Sequence, residues 1–365
     1  DFRGPDVQSI LEHAEAKVLF ASGKQLTRLE IVLPPSVEMV IRLEDFRVFP
    51  VENGKILQKG SGVSEQGKTS FREKGTASEE MDPSGEERVA LKKPEADPDQ
   101  ILTHESFFGA DPDDVASIIY TSGTTGRSKG VMLTHQNILS NAMQSRSIHE
   151  VTEEDHFLSI LPLAHTYECT IGMMVPLLNG ATIHYTDGPP VASTLAPLLK
   201  RLAPTTMLTV PLIIEKIYRS KIRPTLYRSA VTRGLMKMGI TRRLLSRIAV
   251  RKLLKFFGGR LRFFGVGGAP LAPDVEKFLI EGGFPYAIGY GLTETSPLLA
   301  GFGPSNQTYR SVGTPLERVT LKIHDPDPVT HEGEIVARGP NIMKGYYLDE
   351  EKTAEVLCNT FRKED

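Results

Sequence analysis

Short apolar runs rich in β-branched residues recur along this chain, most of them separated by stretches with helical spacing. The runs are Ala16–Ser22 ("AKVLFAS"), Val115–Thr121 ("VASIIYT"), His156–Leu163, Ala181–Thr186, and then "TMLTVP", "LRFFGVGG" and "PYAIGYG". The helical stretches include His135–His149, Val191–Arg201 and Pro273–Glu281. Such alternation predicts βαβ units and mainly parallel sheets, and fully apolar strands suit sheets covered on both faces. After Asn306 the rhythm changes. "VTLKIHD" and "GEIVARG" flank a turn-rich "PDPVTHEG", and no clear helix follows until "DEEKTAEVL". The polar stretch Gly54–Gln100 reads as a partly mobile surface excursion. The expected fold class is α/β, with α/β subdomains over residues 1–195 and 196–305 and a small β-barrel-like subdomain over 306–365.

At 365 residues the chain is long enough for two or three compact units. A net charge of -2 gives no global pull toward nucleic acid. The two cysteines, Cys169 and Cys358, form neither a disulfide framework nor a CxxC knuckle; this fits a reducing, cytoplasmic setting. His135, His149, His156, His184 and His331 lack metal-ligand spacing, and "HDPDP" at His324–Pro328 is a turn. The longest uncharged apolar run, near "IGMMVPLL", is far short of a membrane span. The start, "DFRGPDVQ", has no initiator Met and no signal pattern, so the natural chain is expected to begin earlier.

Chemistry concentrates in two places. "YTSGTTGRSKG" at Tyr120–Gly130 follows a strand expected to be buried. Its glycines, Gly123 and Gly126, let backbone approach a ligand, and successive N–H groups can form an anion nest. Thr121, Ser122, Thr124 and Thr125 add hydroxyls, Lys129 adds a charge, and Thr134 stands as N-cap of the next helix. A Walker A loop has the same Gly-to-Lys distance, but Ser128 occupies its second Gly and Gly130 its Mg²⁺-holding Ser/Thr. An ordinary Gly/Ser/Thr turn stays open as the alternative. The second place is "GYGLTETSP" at Gly289–Pro297. Tyr290, between Gly289 and Gly291, offers an aromatic face to a nucleobase, and Glu294, between Thr293 and Thr295, offers a hard oxygen to Mg²⁺. Upstream, "GVGGAPL" brings Gly267 and Gly268 to a strand end. A strand-ending turn remains the alternative for each of these.

Together, "YTSGTTGRSKGV", "LPLAHTYE", "GGAPL", "GYGLTETSP" and "GEIVARGPNIMKGYY", in that order, resemble the AMP-forming acyl-adenylate family of acyl-CoA synthetases, luciferases and adenylation domains. The wider text is similar to long-chain fatty acid–CoA ligases. The resemblance implies a fatty acid, ATP, Mg²⁺ and CoA as substrates and cofactors, and acyl-AMP as intermediate. It implies that Thr121–Lys129 handles the β,γ-phosphates, with Thr121 and Glu294 contacting Mg²⁺. Tyr290 would lie against adenine with Gly268, Gly289 and Gly291 around it, Thr293 would bond the α-phosphate, and His165 would sit near phosphate and acyl carboxylate. Carboxylate attack on the α-phosphorus needs positioning and charge neutralisation, and no side-chain nucleophile is required. "LPLAHTYECTIG" lacks the Asp of amino-acid-activating relatives, which favours an apolar acyl group, with Met173, Met174, Val210 and Leu212 as tunnel candidates.

The sequence departs from the family after "GYY". No T-G-D segment follows, and the hinge and C-terminal lid domain, with its Lys, have no counterpart. Little activity is therefore expected of this chain alone. An acyl carrier protein as acceptor, another carboxylate-adenylating ligase, or a non-catalytic nucleotide- or acyl-binding homologue stay open. The basic, partly amphipathic Thr241–Phe257 suggests peripheral membrane contact, against a plain packed helix with a solvated basic face.

Overall fold

The computed structural model describes residues 4–21, 33–42, 48–52, 55–56, 111–122, 128–186 and 191–357. Apart from Lys55 and Ile56, the polar stretch 54–100 lies outside the described residues, as do Gly123, Thr124, Thr125 and Gly126 of the glycine-rich loop. The chain divides into two compact units, Asp1–Ala110 and Asp111–Asp365.

In the first unit, helix α1 (Gly4–His13) precedes strands β1 (Val18–Ala21), β2 (Met39–Arg42), β3 (Val48–Glu52) and β4 (Lys55–Ile56). They form one sheet in that order, with β1–β2 parallel and the other pairs antiparallel. Leu11, Leu33, Val37 and Val40 make its core.

The second unit opens with a hairpin. Strand β5 (Val115–Ser122) pairs antiparallel with β6 (Ser128–Thr134), so that Thr121 stands opposite Lys129. This corrects the expectation of a buried strand before the loop. Val115 and Ala116 are exposed and Ser117–Tyr120 only half-buried, because the partner is a hairpin arm and not a sheet interior. Helix α2 (His135–Gln144) follows, capped as expected by Thr134. Asn137 N donates to Thr134 Oγ1 at 3.1 Å and Thr134 N to Asn137 Oδ1 at 2.9 Å, a reciprocal capping box.

Seven strands build the central sheet: β7 (His156–Ser159), β8 (Thr182–Tyr185), β9 (Thr206–Thr209), β10 (Phe263–Val266), β11 (Tyr286–Gly291), β12 (Leu298–Phe302) and β13 (Thr314–Pro315). Their order is β13-β12-β11-β10-β9-β7-β8. Strands β8, β7, β9, β10 and β11 are parallel, and β12 and β13 add antiparallel. The sheet carries strands from both sides of residue 195. Neighbouring residues split between its faces, as the two-residue period requires. Met207, Phe264 and Tyr286 join a cluster with Leu199, Phe257 and Leu279, whereas Leu208, Phe263 and Ala287 join one with Phe157, Ile171 and Leu298. Both faces are therefore covered, and each fully buried Phe or Leu contributes roughly 1.5–3 kcal/mol.

The helices are α3 (Ala192–Leu202), α4 (Pro211–Ile217), α5 (Ala230–Lys237), α6 (Gly239–Phe256) and α7 (Pro273–Gly282). Helix α7 starts on Pro273 with Asp274 and Glu276 in its first turn, and ends on Gly283 at φ 71°, the usual start and stop chemistry. The β-rich part after 306 consists of an antiparallel ribbon, β14 (Thr320–His324) with β15 (Glu334–Arg338), while β13 joins the central sheet. Strand β16 (Gly345–Tyr346) joins β6, and α8 (Glu350–Val356) follows. Among the described residues no helix is long and apolar enough to cross a membrane.

Candidate active site

The strand order defines where a ligand can sit. From β7 the chain moves outward to β8, then returns to the other side of β7 as β9 and continues outward through β10 and β11. Connections diverge between β7 and β9, and in open parallel sheets the crevice beyond the carboxyl ends at such a point receives the ligand. That edge carries the segment with His165 after β7, Val210 after β9, Gly267 and Gly268 after β10, and Leu292–Glu294 after β11. Gly268 takes φ 83°, a left-handed conformation that glycine adopts without strain. Gly267 lies against the Tyr167 ring, where even a Cβ would crowd in at 3.1 Å.

The segment after β11 is held by distant amides. A one-turn 3₁₀ helix, Thr293–Thr295, leads through Ser296 and a cis bond to Pro297, and the chain then returns as β12. Leu292 N donates to Thr295 Oγ1 at 2.9 Å. A Cβ on Gly291 would run into the Pro297 carbonyl. The fully buried Asn341 donates to the carbonyls of Thr295 at 2.9 Å and Leu298 at 2.8 Å. Asn141, also fully buried, donates to Leu298 O at 2.7 Å and accepts from Leu298 N at 3.0 Å. Each such amide is a buried group whose removal leaves backbone partners unmet.

One residue that the sequence did not single out joins the two motifs. Tyr346 O–H donates to Glu294 Oε1 at 2.8 Å, and the Lys129 ammonium lies 5.2 Å from the centroid of the same ring. Strand β16 brings it there: Tyr346 pairs with Val131, Tyr347 N donates to Gly130 O at 2.7 Å, and Met343 N donates to Glu294 O at 2.9 Å. Burial, together with the Glu294 bond, raises the Tyr346 hydroxyl above the ordinary phenol range, so it stays a donor. Among the described residues Lys129 has no ion pair and Glu294 Oε2 no hydrogen bond. A cation and a carboxylate with open valences thus flank one aromatic ring. This donor set fits a polyphosphate with a divalent ion, since Mg²⁺ takes one or two protein carboxylates and fills its shell with phosphate and water. No group of three or more His, Cys, Asp or Glu converges among the described residues, as a phosphate-bridged ion allows.

The other expected residues fall in three groups. Thr121 faces Lys129 across the hairpin, with Ser122 next to it on β5. Gly289, Tyr290, Gly291 and Thr293 run with Glu294 in one segment, and Tyr290 is half-buried against the core. His165 is exposed on the carboxyl edge, and among the described residues no hydrogen bond joins its side chain to Lys129, Thr293 or Glu294. Its segment runs into a π-helix, Tyr167–Met174. Inside that wide turn Glu168 is buried, with Oε2 unpartnered among the described residues. Burial raises its carboxyl to about 7.

Behind the edge lies an apolar cavity of about 40 Å³, lined among others by Phe157, Tyr167, Leu208, Gly265, Gly289 and Leu298. It has room for a water or two, not for a long acyl chain. Met173, Met174, Val210 and Leu212 do not line it, and Leu212 points to solvent at 70% exposure.

Comparison with known proteins bears on the family and the fold. The family model for AMP-binding enzymes matches residues 1–347. Among curated proteins, the peroxisomal long chain acyl-CoA synthetase 6 of Arabidopsis thaliana is 30% identical, over 98% of this chain and 50% of its own length. Long-chain-fatty-acid–CoA ligase 1 of Cavia porcellus is 29% identical over the same shares. The chain thus spans about half the length of these curated relatives. In fold it is similar to o-succinylbenzoate coenzyme A synthetase of Bacillus subtilis in complex with ATP and magnesium ion, with TM-score 0.62 and 20% identity, covering 98% of this chain and 58% of that one. It is similar also to ATP-bound MatB of Rhodopseudomonas palustris, with TM-score 0.61 and 21% identity, covering 100% of this chain and 57% of that one.

Proposed function

The chain belongs to the AMP-binding enzyme family, and on that premise we propose that it carries the ATP-holding part of a long-chain fatty acid–CoA ligase. The observation that carries this reading is the pairing of Lys129 and Glu294 across Tyr346, at the carboxyl edge where the sheet connections diverge. Lys129 and Thr121 would hold the β,γ-phosphates, with the glycine-rich loop between β5 and β6 beside them. Thr293 would bond the α-phosphate, and Tyr290 would lie against adenine among Gly268, Gly289 and Gly291. Glu294 and Thr121 would hold Mg²⁺, which when bound neutralises phosphate charge as pyrophosphate departs. His165, exposed on the same edge, would meet the acyl carboxylate.

In the reaction, a carboxylate oxygen of the fatty acid attacks the α-phosphorus of ATP. The bond to the bridging oxygen breaks, and pyrophosphate leaves with that electron pair. The thiol of CoA then attacks the acyl carbonyl and AMP departs. What this chain contributes is orientation and electrostatic balance, the two largest sources of rate in phosphoryl and acyl transfer. The long-chain choice is supported by the names of the curated relatives and by the absence of an Asp in "LPLAHTYECTIG". A fatty acid is met at a membrane, and residues 241–257 offer a basic, partly apolar face for peripheral contact with one.

The test is pyrophosphate exchange on the full-length gene product, across a chain-length series of fatty acids. Exchange that peaks with long acids is the expected result. ATP binding without exchange for any acid would favour a non-catalytic nucleotide-binding homologue. Acyl transfer to acyl carrier protein but not to CoA would move the acceptor.

A further inference from the structure

Between Glu215 and Asp274 the sequence contains no Asp or Glu, while Lys and Arg recur throughout, in a chain whose net charge is only -2. This acid-free segment runs from the last turn of α4 through α5 and α6 to β10 and the turn after it. Two ridges run side by side along the outer face of α6. Ile240, Leu244 and Ile248 follow one another at four-residue steps, and Arg243, Arg247 and Arg251 do the same three positions on, so the two rows are immediate neighbours on the helix. Ile240 is 86% and Leu244 59% exposed, and all three arginines are exposed without an ion pair among the described residues. On α5, the helix just before α6, Val231 is exposed too, at 71%.

The face is fixed in direction. Arg242 grips Glu281 of α7 with Nε to Oε2 at 2.8 Å and Nη2 to Oε1 at 2.7 Å. Behind it, a Cβ on Gly282 would collide with Val250, so α6 and α7 pack closely and the ridges cannot turn inward. On the other flank of the apolar ridge lies a groove of about 390 Å³. Ile217, Ile222, Leu245 and Phe256 line it together with Lys221 and Lys252. Lys221 Nζ sits 5.2 Å from the Phe256 ring centroid, at the groove's lining.

An isolated exposed Leu means little, but a fixed apolar ridge between a guanidinium row and an apolar groove lined with ammonium groups is different. Its chemistry matches that of an anionic lipid surface: phosphates for the arginines and lysines, hydrocarbon for the ridge and the groove. We infer that this face docks on an anionic bilayer, with Ile240, Leu244 and Ile248 inserted at headgroup depth and Arg243, Arg247 and Arg251 on lipid phosphates. The inference deepens the membrane contact of the proposed function and rests on that part of it. It does not depend on adenylation.

The test is co-sedimentation of the purified chain with phosphatidylcholine vesicles, with and without phosphatidylglycerol. Binding to the anionic vesicles that weakens steeply with salt is expected, with little binding to neutral ones. Replacing all three arginines (R243Q, R247Q, R251Q) is expected to weaken partition by about 100-fold, at roughly 5-fold per charge near the surface. The pair Ile240→Ser and Leu244→Ser is expected to lower binding while leaving the melting temperature unchanged. Because the chain has no Trp, Ile240→Trp provides a single reporter whose emission should shift to the blue on anionic vesicles. Equal binding to neutral vesicles, salt-insensitive binding, an unshifted reporter, or a concentration-dependent dimer that hides this face would overturn the inference. The salt and lipid arms use the unaltered chain, so they decide even if a variant fails to fold. Vesicle binding needs neither ATP nor fatty acid, so its outcome is separate from that of pyrophosphate exchange.

Discussion

The carboxyl edge of the central sheet and the helical segment between β9 and β10 use charge in opposite ways. At the edge, Glu294 is tethered by Tyr346, Lys129 is stacked on the same ring, and the backbone beneath is held by Asn141 and Asn341. On the outer face of α6, Arg243, Arg247 and Arg251 stand free of ion pairs among the described residues, beside exposed Ile240 and Leu244. Preorganised charge is what a chemical step uses. Loose charge on long stems is what a diffuse anionic surface uses. The number of fixed partners around each charge tells the two regions apart.

Substitutions at the edge should have large effects and those on α6 small ones. The largest effect is expected for Glu294→Ala, which removes the carboxylate proposed to hold Mg²⁺. Pyrophosphate exchange by the full-length gene product should fall about 1000-fold, and retained Mg²⁺-dependent exchange would refute its role.

Next comes Glu168→Gln. In the folded chain burial raises the Glu168 carboxyl from 4.5 to about 7. The stability linked to its proton is complete below the unfolded value and is lost as pH rises through about 7. A neutral Gln escapes that loss, so the variant should exceed the parent by about 3 kcal/mol near pH 8 and differ little near pH 4. Urea unfolding at both pH values measures it, and a pH-independent difference would count against the assignment.

Asn341→Ala should lower stability by about 2 kcal/mol, because two buried carbonyls lose their donor, and thermal unfolding reads this directly. Tyr346→Phe removes one hydrogen bond to a carboxylate and should reduce exchange about 10-fold, with a higher Mg²⁺ requirement and an unchanged fold. An unchanged Mg²⁺ requirement would make Tyr346 a packing residue only. The smallest effect is expected on α6: Leu244→Ser should change unfolding free energy by less than about 0.5 kcal/mol in the absence of lipid. A larger loss would mean that the face is packed and not presented.

The difference between these regions also explains what the sequence made legible. The parallel strands, α2 with its Thr134 cap, the helical stretch Pro273–Glu281 that becomes α7, and the basic run on α6 are local signals of period or capping, and each is found where expected. Thr121, Lys129 and Glu294 could be named because they lie within short motifs. Tyr346 could not, because its importance arises when β16 pairs with β6, a contact that no local pattern announces. Strand β6 was hidden for a related reason. "SKGVMLT" begins as a glycine-rich loop and becomes a strand only by pairing with β5, although the apolar Val131–Leu133 within it was an available cue. The same hairpin explains why β5 is half-exposed where an apolar run suggested burial. The π-helix at Tyr167–Met174, with the Glu168 carboxyl close against Gly172, has no periodic signature in the sequence at all. Leu212, apolar but 70% exposed, shows that apolarity alone does not say which face a residue takes.

The central claim is that Lys129 and Glu294, joined through Tyr346, hold a nucleotide polyphosphate with its divalent ion. Isothermal titration of ATP into this chain, with and without Mg²⁺, for the parent and for Glu294→Ala, tests it most directly. ATP binding should tighten with Mg²⁺ in the parent and lose that dependence in the variant. Binding that is equally tight in all four titrations, or absent from the parent, would contradict it.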